Sequence, residues 1–306
     1  MAIMSPMRII IIFFLAVLLS TCKKEVILIP DNVPYQNKYI STIQIQNYVN
    51  KLYIDLIGRE PLNTEMERDV NFLKSDNLSS NFRDSLINKL QTNTDFIEGD
   101  TSYQKAYYHR FYDVVKIKML EGIENDVLNE RKGILNNSYQ GSVASGDSLQ
   151  AAIDLKNITE INDILGISEN FQNKLIDISD VFKILMDNYA YDEINMNTFN
   201  FVNASFSDVF FRLPTTQEYE IAFEMIENNT SGYLFGKTGT SKGEYLDIMT
   251  TSNEFYEGII IWTYKSLLSR NPNAVETSKY LSDLINSKDF QHLQKEIMKT
   301  DEYANF

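Results

Sequence analysis

Apolar side chains return every three or four residues along most of this chain, and that period sets the expected architecture. Before the first break in the pattern they stand at Ile45, Tyr48, Val49, Leu52, Tyr53, Leu56 and Ile57, which places them on one face of a helix. The same stripe ends in the same way three times. Tyr53 is followed by Leu56, Ile57, Arg59, Pro61 and Glu65; Phe206 by Val209, Phe210, Arg212, Pro214 and Glu218; Tyr264 by Leu267, Leu268, Arg270, Pro272 and Glu276. Each reads as an aromatic, two residues, two apolar residues, one residue, then Arg-x-Pro-x-x-x-Glu. From residue 22 onward there are only seven arginines and five prolines, so three of each in one register mark a repeat rather than a coincidence.

The chemistry of the unit follows from its order. A helix ends near the arginine, whose charge suits the negative end of the helix dipole. Proline cannot continue that helix but fits the first turn of the next, so a sharp corner is expected at each Arg-x-Pro. The glutamate lies early in the second helix, near its positive end, within reach of the arginine. The pairs Arg59 with Glu65, Arg212 with Glu218 and Arg270 with Glu276 are therefore expected to stabilise corners rather than to act on a ligand. After two of the corners the chain runs on alike: the stretch from Phe82 to Phe96, with Leu86, Leu90 and Asp95, resembles that from Phe290 to Phe306, with Leu293, Ile297, Asp301 and Tyr303. A unit is thus about three helices long.

Strand-like alternation is nowhere sustained, so the expected fold is all-α, a helical bundle built from repeated helix-corner-helix units. Residues 136–147, rich in Gly, Ser and Asn, read as an exposed loop. The expected organisation is a leader over residues 1–21, a tether over 22–38, an N-terminal helical unit over 39–135, a linker over 136–150 and two further corners within 151–306. A second flexible stretch is expected over residues 228–243.

One apolar run is not periodic. Arg8 precedes residues 9–19, which are entirely apolar, and Leu19, Ser20, Thr21 and Cys22 follow. About 20 apolar residues are needed to span a bilayer, so this run has the length of a signal-peptide core. The segment resembles the lipobox of bacterial lipoproteins, with Thr21 where Gly, Ala or Ser is usual. That resemblance implies cleavage before Cys22 and a diacylglycerol on its sulfur, which would anchor the chain to a membrane. Lys23 is not the aspartate associated with inner-membrane retention, which favours the outer membrane, on a face left open. Lys23, Lys24 and Glu25 are similar to the surface-export signals of Bacteroidetes lipoproteins.

Cleavage would remove Arg8 from the 28 basic residues and none of the 42 acidic ones, leaving a net charge of −15. Such a chain is repelled by a nucleic-acid backbone. With Cys22 as the single cysteine no internal disulfide can form, and stability must come from the core.

Residues 48–120 resemble the helical domain of unknown function that opens many planctomycete proteins associated with cytochrome c modules. The likeness rests on Leu52 to Pro61, on the helix ending at Leu90 and on the aromatic stretch from Tyr107 to Tyr112, with Arg59 and Glu60 departing from the family's usual Leu-Thr-Gly form. The haem-binding Cys-x-x-Cys-His that can accompany that domain is absent from the sequence. Residues 259–306 are similar to a short module of bacterial surface proteins and cyanobacterial antenna linkers, built on a Leu-Leu-x-Arg-x-Pro corner. Neither family implies a catalytic set.

Other candidate chemistry is thin. Gly232 and Gly236 before Lys237 and Thr238 are one residue too close for a phosphate-binding loop and follow no strand. Lys237, Thr238 and Gly239 also match an element of penicillin-binding enzymes, but Ser75, Asp76 and Asn77 precede Ser102 and Lys105, the reverse of the required order. His109 with Asp113 and His292 with Glu296 have the helical spacing of paired metal ligands, yet no third ligand is identifiable. No metal site, cofactor or catalytic residue is expected. Tyr103, Tyr107, Tyr108, Phe111 and Tyr112 read as core at this spacing, although aromatic platforms also hold sugars. Asp84, Ser85 and Leu86, and Asp147, Ser148 and Leu149, match a short O-glycosylation motif, the second in the expected loop. The sequence thus points to a non-catalytic, outer-membrane-anchored lipoprotein that binds or scaffolds a protein partner in an envelope assembly. The alternative is a surface protein that binds or processes glycans.

Overall fold

The structure, a computed structural model, describes residues 40–97 and 101–306. The leader over 1–21, Cys22 and the tether over 22–38 lie outside the described residues. Those described are helical almost throughout, and the fold is all-α. Residues 40–306 form one compact unit.

Helix α1 (Thr42–Ile57) buries all seven residues of the first stripe. It turns through the first corner into α2 (Asn63–Ser75), and α3 (Ser80–Thr92) and α4 (Tyr103–Leu120) follow. Helix α4 is the centre of this half: it packs on α1, on α3 and on elements from further along the chain, and it buries the whole aromatic cluster from Tyr103 to Tyr112. Next come two long antiparallel helices, α5 (Asn125–Ser145) and α6 (Ser148–Gln172), then α7 (Ile178–Met186), α8 (Tyr189–Asn195) and α9 (Thr198–Phe210).

The expected loop over 136–147 and linker over 136–150 are overturned here, because α5 runs on to Ser145 and only Gly146 and Asp147 form the turn. Gly, Ser and Asn lower helix propensity by tenths of a kcal/mol each, about 1 kcal/mol for glycine. That deficit is too small to end the helix, which continues alongside α6 although only Tyr139 and Ser142 of residues 136–145 are even half-buried. Gly146 takes the left-handed C-cap conformation (φ 78°), and the Asp147 carboxylate accepts the Gln150 N–H at 3.1 Å to cap α6.

The second half repeats a simple plan around α12. The second corner joins α9 to α10 (Thr216–Glu227), a β-hairpin follows, and α11 (Lys242–Thr250) leads into α12 (Asn253–Leu268). The third corner joins α12 to α13 (Ala274–Ser287), with α14 (Phe290–Met298) and the single turn α15 (Asp301–Ala304) after it. Helices α9 and α12 cross at Gly258, where an added Cβ would stand 1.8 Å from the Val209 carbonyl oxygen.

The flexible stretch expected over 228–243 is also corrected. It holds β1 (Gly232–Leu234) and β2 (Lys237–Gly239), antiparallel, with Gly232 opposite Gly239. Phe235 and Gly236 both have positive φ, the requirement of a tight two-residue hairpin turn. The paired glycines let the hairpin lie directly on α10, since a Cβ at either would meet Met225 at 2.7 Å.

The last residues close the body against its first helix. Tyr303 donates its hydroxyl to Asp55 at 2.8 Å, Asp301 pairs with Arg83 at 2.8 Å, and the Tyr48 ring packs edge-on against Tyr303 and Phe306. Tyr48 in turn donates to the Met298 carbonyl at 3.1 Å.

Candidate functional site

At each corner the residue before the arginine leaves the helix in the left-handed conformation: Gly58, Phe211 and Ser269. That reversal sends the arginine back across the end of its own helix. There the guanidinium lies over the aromatic six residues earlier, Tyr53, Phe206 or Tyr264, at 5.1 to 5.6 Å from the ring centre. The proline stands one residue before the N-cap of the next helix, not inside its first turn, because Leu62, Thr215 and Asn273 take the capping position. The glutamate is the third residue of that helix and reaches back to the cap N–H at 2.7, 2.7 and 2.8 Å.

The arginine fork meets both oxygens of this glutamate. The distances are 2.7 and 2.9 Å for Arg59 on Glu65, 2.8 and 2.7 Å for Arg212 on Glu218, and 2.8 and 2.6 Å for Arg270 on Glu276. Such bidentate pairs are the strong, geometrically specific form of the interaction. Hydrogen bonds from Arg212 and Arg270 hold Glu218 and Glu276 down at about 2. At Glu65 burial acts upward, but the bonds from Arg59, Tyr103 and the Leu62 N–H outweigh it and bring the carboxyl to about 2.

A second carboxylate, which the linear reading missed, closes the other edge of two of these arginines. Glu254 takes Arg212 through Nε and Nη2 at 2.5 and 2.9 Å, and Glu302 takes Arg270 at 2.5 and 2.7 Å. A signal exists in the sequence: Ser252-Asn253-Glu254-Phe255 and Thr300-Asp301-Glu302-Tyr303 share one pattern. In both, Ser252 or Thr300 caps a new helix whose second residue is the clamping glutamate. Helix α12 therefore closes the second corner with its start and forms the third with its end.

The first corner is extended by a buried polar knot. Tyr53 donates to Asp69 at 2.7 Å and touches the Tyr103 hydroxyl at 3.1 Å, and Tyr103 donates to Glu65 at 2.6 Å. Arg68 and Lys89 reach Asp69 at 2.9 and 2.6 Å. Burial acts upward on Asp69, and the bonds from these two cations outweigh it to keep the carboxyl below its usual range. Burial lowers Lys89 and raises both tyrosines. Clusters of perturbed groups often mark active sites. Here the groups satisfy one another across α1, α2, α3 and α4, which is the arrangement of a structural tie.

The remaining candidates fall apart in space. Lys237, Thr238 and Gly239 form the edge of the hairpin, with Lys237 donating to Thr251 at 2.7 Å, while Ser102 is the N-cap of α4. His109 and Asp113 are exposed on α4. His292 faces Asp283 at 3.8 Å, and Glu296 pairs with Lys299 instead. Among the described residues no three His, Cys, Asp or Glu side chains converge as a metal site. Ser148 and Leu149 are exposed at the α5–α6 turn, whereas Leu86 is buried.

One cleft does converge. It lies between α1, α4, α12 and α14, encloses about 120 Å³, and is lined by Asp55, Arg110, Phe111, Trp262, Phe290 and Gln294 among others. Of the seven arginines from residue 22 onward, all described, six pair with carboxylates. Arg110 pairs with none, and its Nε is buried without an acceptor.

Comparison with known protein families, with curated proteins and with solved structures finds no match for this chain.

Proposed function

We propose that this protein is a lipid-anchored, non-catalytic binding or scaffolding component of a cell-envelope assembly, held at the outer membrane through Cys22. The anchor rests on the sequence around Cys22. Among the described residues no helix is long and apolar enough to cross a membrane, and that leaves a lipid anchor as open as before.

The observation that supports partner binding is the α5–α6 hairpin. Of the 21 residues of α5 only Leu128 and Leu135 are buried. The far end of the hairpin presents Val143, Leu149 and Ile153 to solvent, Leu149 with 74% of its surface exposed. Leu149 and Ile153 are four apart and share a face of α6. The three corners tie helices of the body together through bidentate ion pairs, which suits a scaffold that offers one largely exposed helix to a partner.

The test is gentle detergent solubilisation of tagged protein from native membranes, with co-purifying proteins identified by mass spectrometry. The same is done for Cys22→Ser and for Leu149→Glu/Ile153→Glu. A stoichiometric partner that is lost with the hairpin variant supports the reading. Recovery of the wild-type protein alone, or a Cys22→Ser protein that still takes up labelled palmitate and fractionates with membranes, overturns it.

A further inference from the structure

The cleft at Arg110 holds opposite charges that do not meet directly: burial pushes the Asp55 carboxyl up, and the charges of Lys51 and Arg110 act against that. A buried polar group without a partner costs about 1–3 kcal/mol, more when charged, and such groups in native proteins have a reason to persist. Arg110 contributes no hydrogen bond or ion pair to the fold among the described residues, yet its stem is packed over the end of α1, with Cδ 3.1 Å from where a Cβ on Gly58 would stand. Gly58 is thus what lets the guanidinium settle beside the cleft.

Asp55 lines the same cleft without pairing to Arg110. One of its oxygens accepts the Tyr303 hydroxyl at 2.8 Å, and the other remains for a donor. Gln294 accepts Tyr107 at 2.6 Å on its carbonyl oxygen, so its amide nitrogen is a free donor toward the same space. The remaining wall is mostly apolar, Leu56, Val114 and Leu267 beside Trp262, which stacks on Phe290 at 5.5 Å and 11°, with Thr263 and Ser266 adding hydroxyls.

A cation and an anion in one small, mostly apolar space match a ligand carrying both opposite charges. A cavity of about 150 Å³ accepts benzene, six heavy atoms, so about 120 Å³ holds roughly five or six. We propose that this cleft binds a small zwitterionic amino acid, glycine or alanine in size, with its carboxylate on Arg110 and its ammonium group on Asp55. A phosphate dianion is disfavoured because Asp55 faces it.

The test is titration calorimetry, with ligand-observed NMR for weak binding, on the purified full-length protein. The probes are alanine, propionate, which lacks the ammonium group, and ethylammonium, which lacks the carboxylate. Alanine is expected to bind at least about tenfold more tightly than either, since a hydrogen bond to a charged group is worth a factor of ten or more. Arg110→Gln should abolish binding of alanine and propionate, and Asp55→Asn should bring alanine down to the level of propionate. Arg110 makes no direct ion pair, but its charge offsets part of the burial of Asp55, so Arg110→Gln should stay folded with a modestly lower unfolding midpoint, checked by circular dichroism before the titration. Ser266→Phe, exposed at the mouth of the cleft, blocks it without touching the core and serves if either polar variant fails to fold. No binding of glycine or alanine up to about 10 mM, equal binding of all three probes, or undiminished alanine binding by folded Arg110→Gln or Ser266→Phe overturns the proposal.

Discussion

Replacing Glu65, Glu218 and Glu276 one at a time with Gln separates the chemistry of the corners from their burial. The three glutamates make the same bidentate pair and cap the same backbone N–H, and each is held at about 2. Their side chains differ in exposure, at 4, 19 and 24%, and their arginines are 26, 33 and 35% exposed. Against an unfolded value near 4.5, a folded value of about 2 corresponds to roughly 3 kcal/mol for the most buried carboxylate. Water screens the other two. Glu65→Gln should therefore cost about 2–3 kcal/mol, Glu218→Gln about 1 and Glu276→Gln about 0.5–1. Urea denaturation of a chain beginning at Ile40, followed by circular dichroism, measures all three. The pH dependence has a definite sign: a carboxylate lowered on folding stabilises fully above its unfolded value, and that contribution fades as pH falls from about 4.5 toward 2. The gap between wild type and Glu65→Gln should shrink over that window. Equal losses at the three corners, a loss below about 1 kcal/mol at Glu65, or a gap that does not change with pH would refute burial as the source of the difference.

Three further perturbations probe other parts of the body. Gly258→Ala forces a methyl against the Val209 carbonyl at 1.8 Å; overpacking against backbone should cost about 3 kcal/mol or more, seen as a lower thermal midpoint or loss of soluble protein. Tyr53→Phe removes the hydroxyl that joins Asp69, Tyr103 and Arg68, and a loss of about 1–3 kcal/mol is expected in the same denaturation assay. Leu149→Glu/Ile153→Glu changes exposed positions only, so its midpoint should stay within about 0.5 kcal/mol of wild type; a large loss would mean that the hairpin tip is packed in solution.

What could be read in advance depended on distance along the chain. The stripe on α1 and the six-residue span from Arg59 to Glu65 are local, and helical period plus dipole chemistry suffices to place them. Glu254 and Glu302 lie 42 and 32 residues after the arginines they clamp, a separation that no local rule bridges, although their shared four-residue pattern was visible. Residues 136–147 mislead because weak helix formers cost only tenths of a kcal/mol each, too little to end a helix that lies alongside α6. The hairpin at Phe235 and Gly236 was hidden by strands of three residues, too short for alternation to register. Arg110 carries no sequence signal at all, since an unpaired arginine is recognised only when every neighbour is known.

The contacts of residues 300–306 with α1 also constrain the order in which the molecule can be completed. A chain made from its N-terminus presents the Tyr48 and Asp55 face of α1 some 250 residues before Tyr303 exists to cover it. Until then that face is unsealed, and closure is the longest-range event in the fold, the kind that slows folding most. Contacts from residues 300–306 thus act as a latch on the face of α1, and the body cannot reach its final packing until that latch has been made.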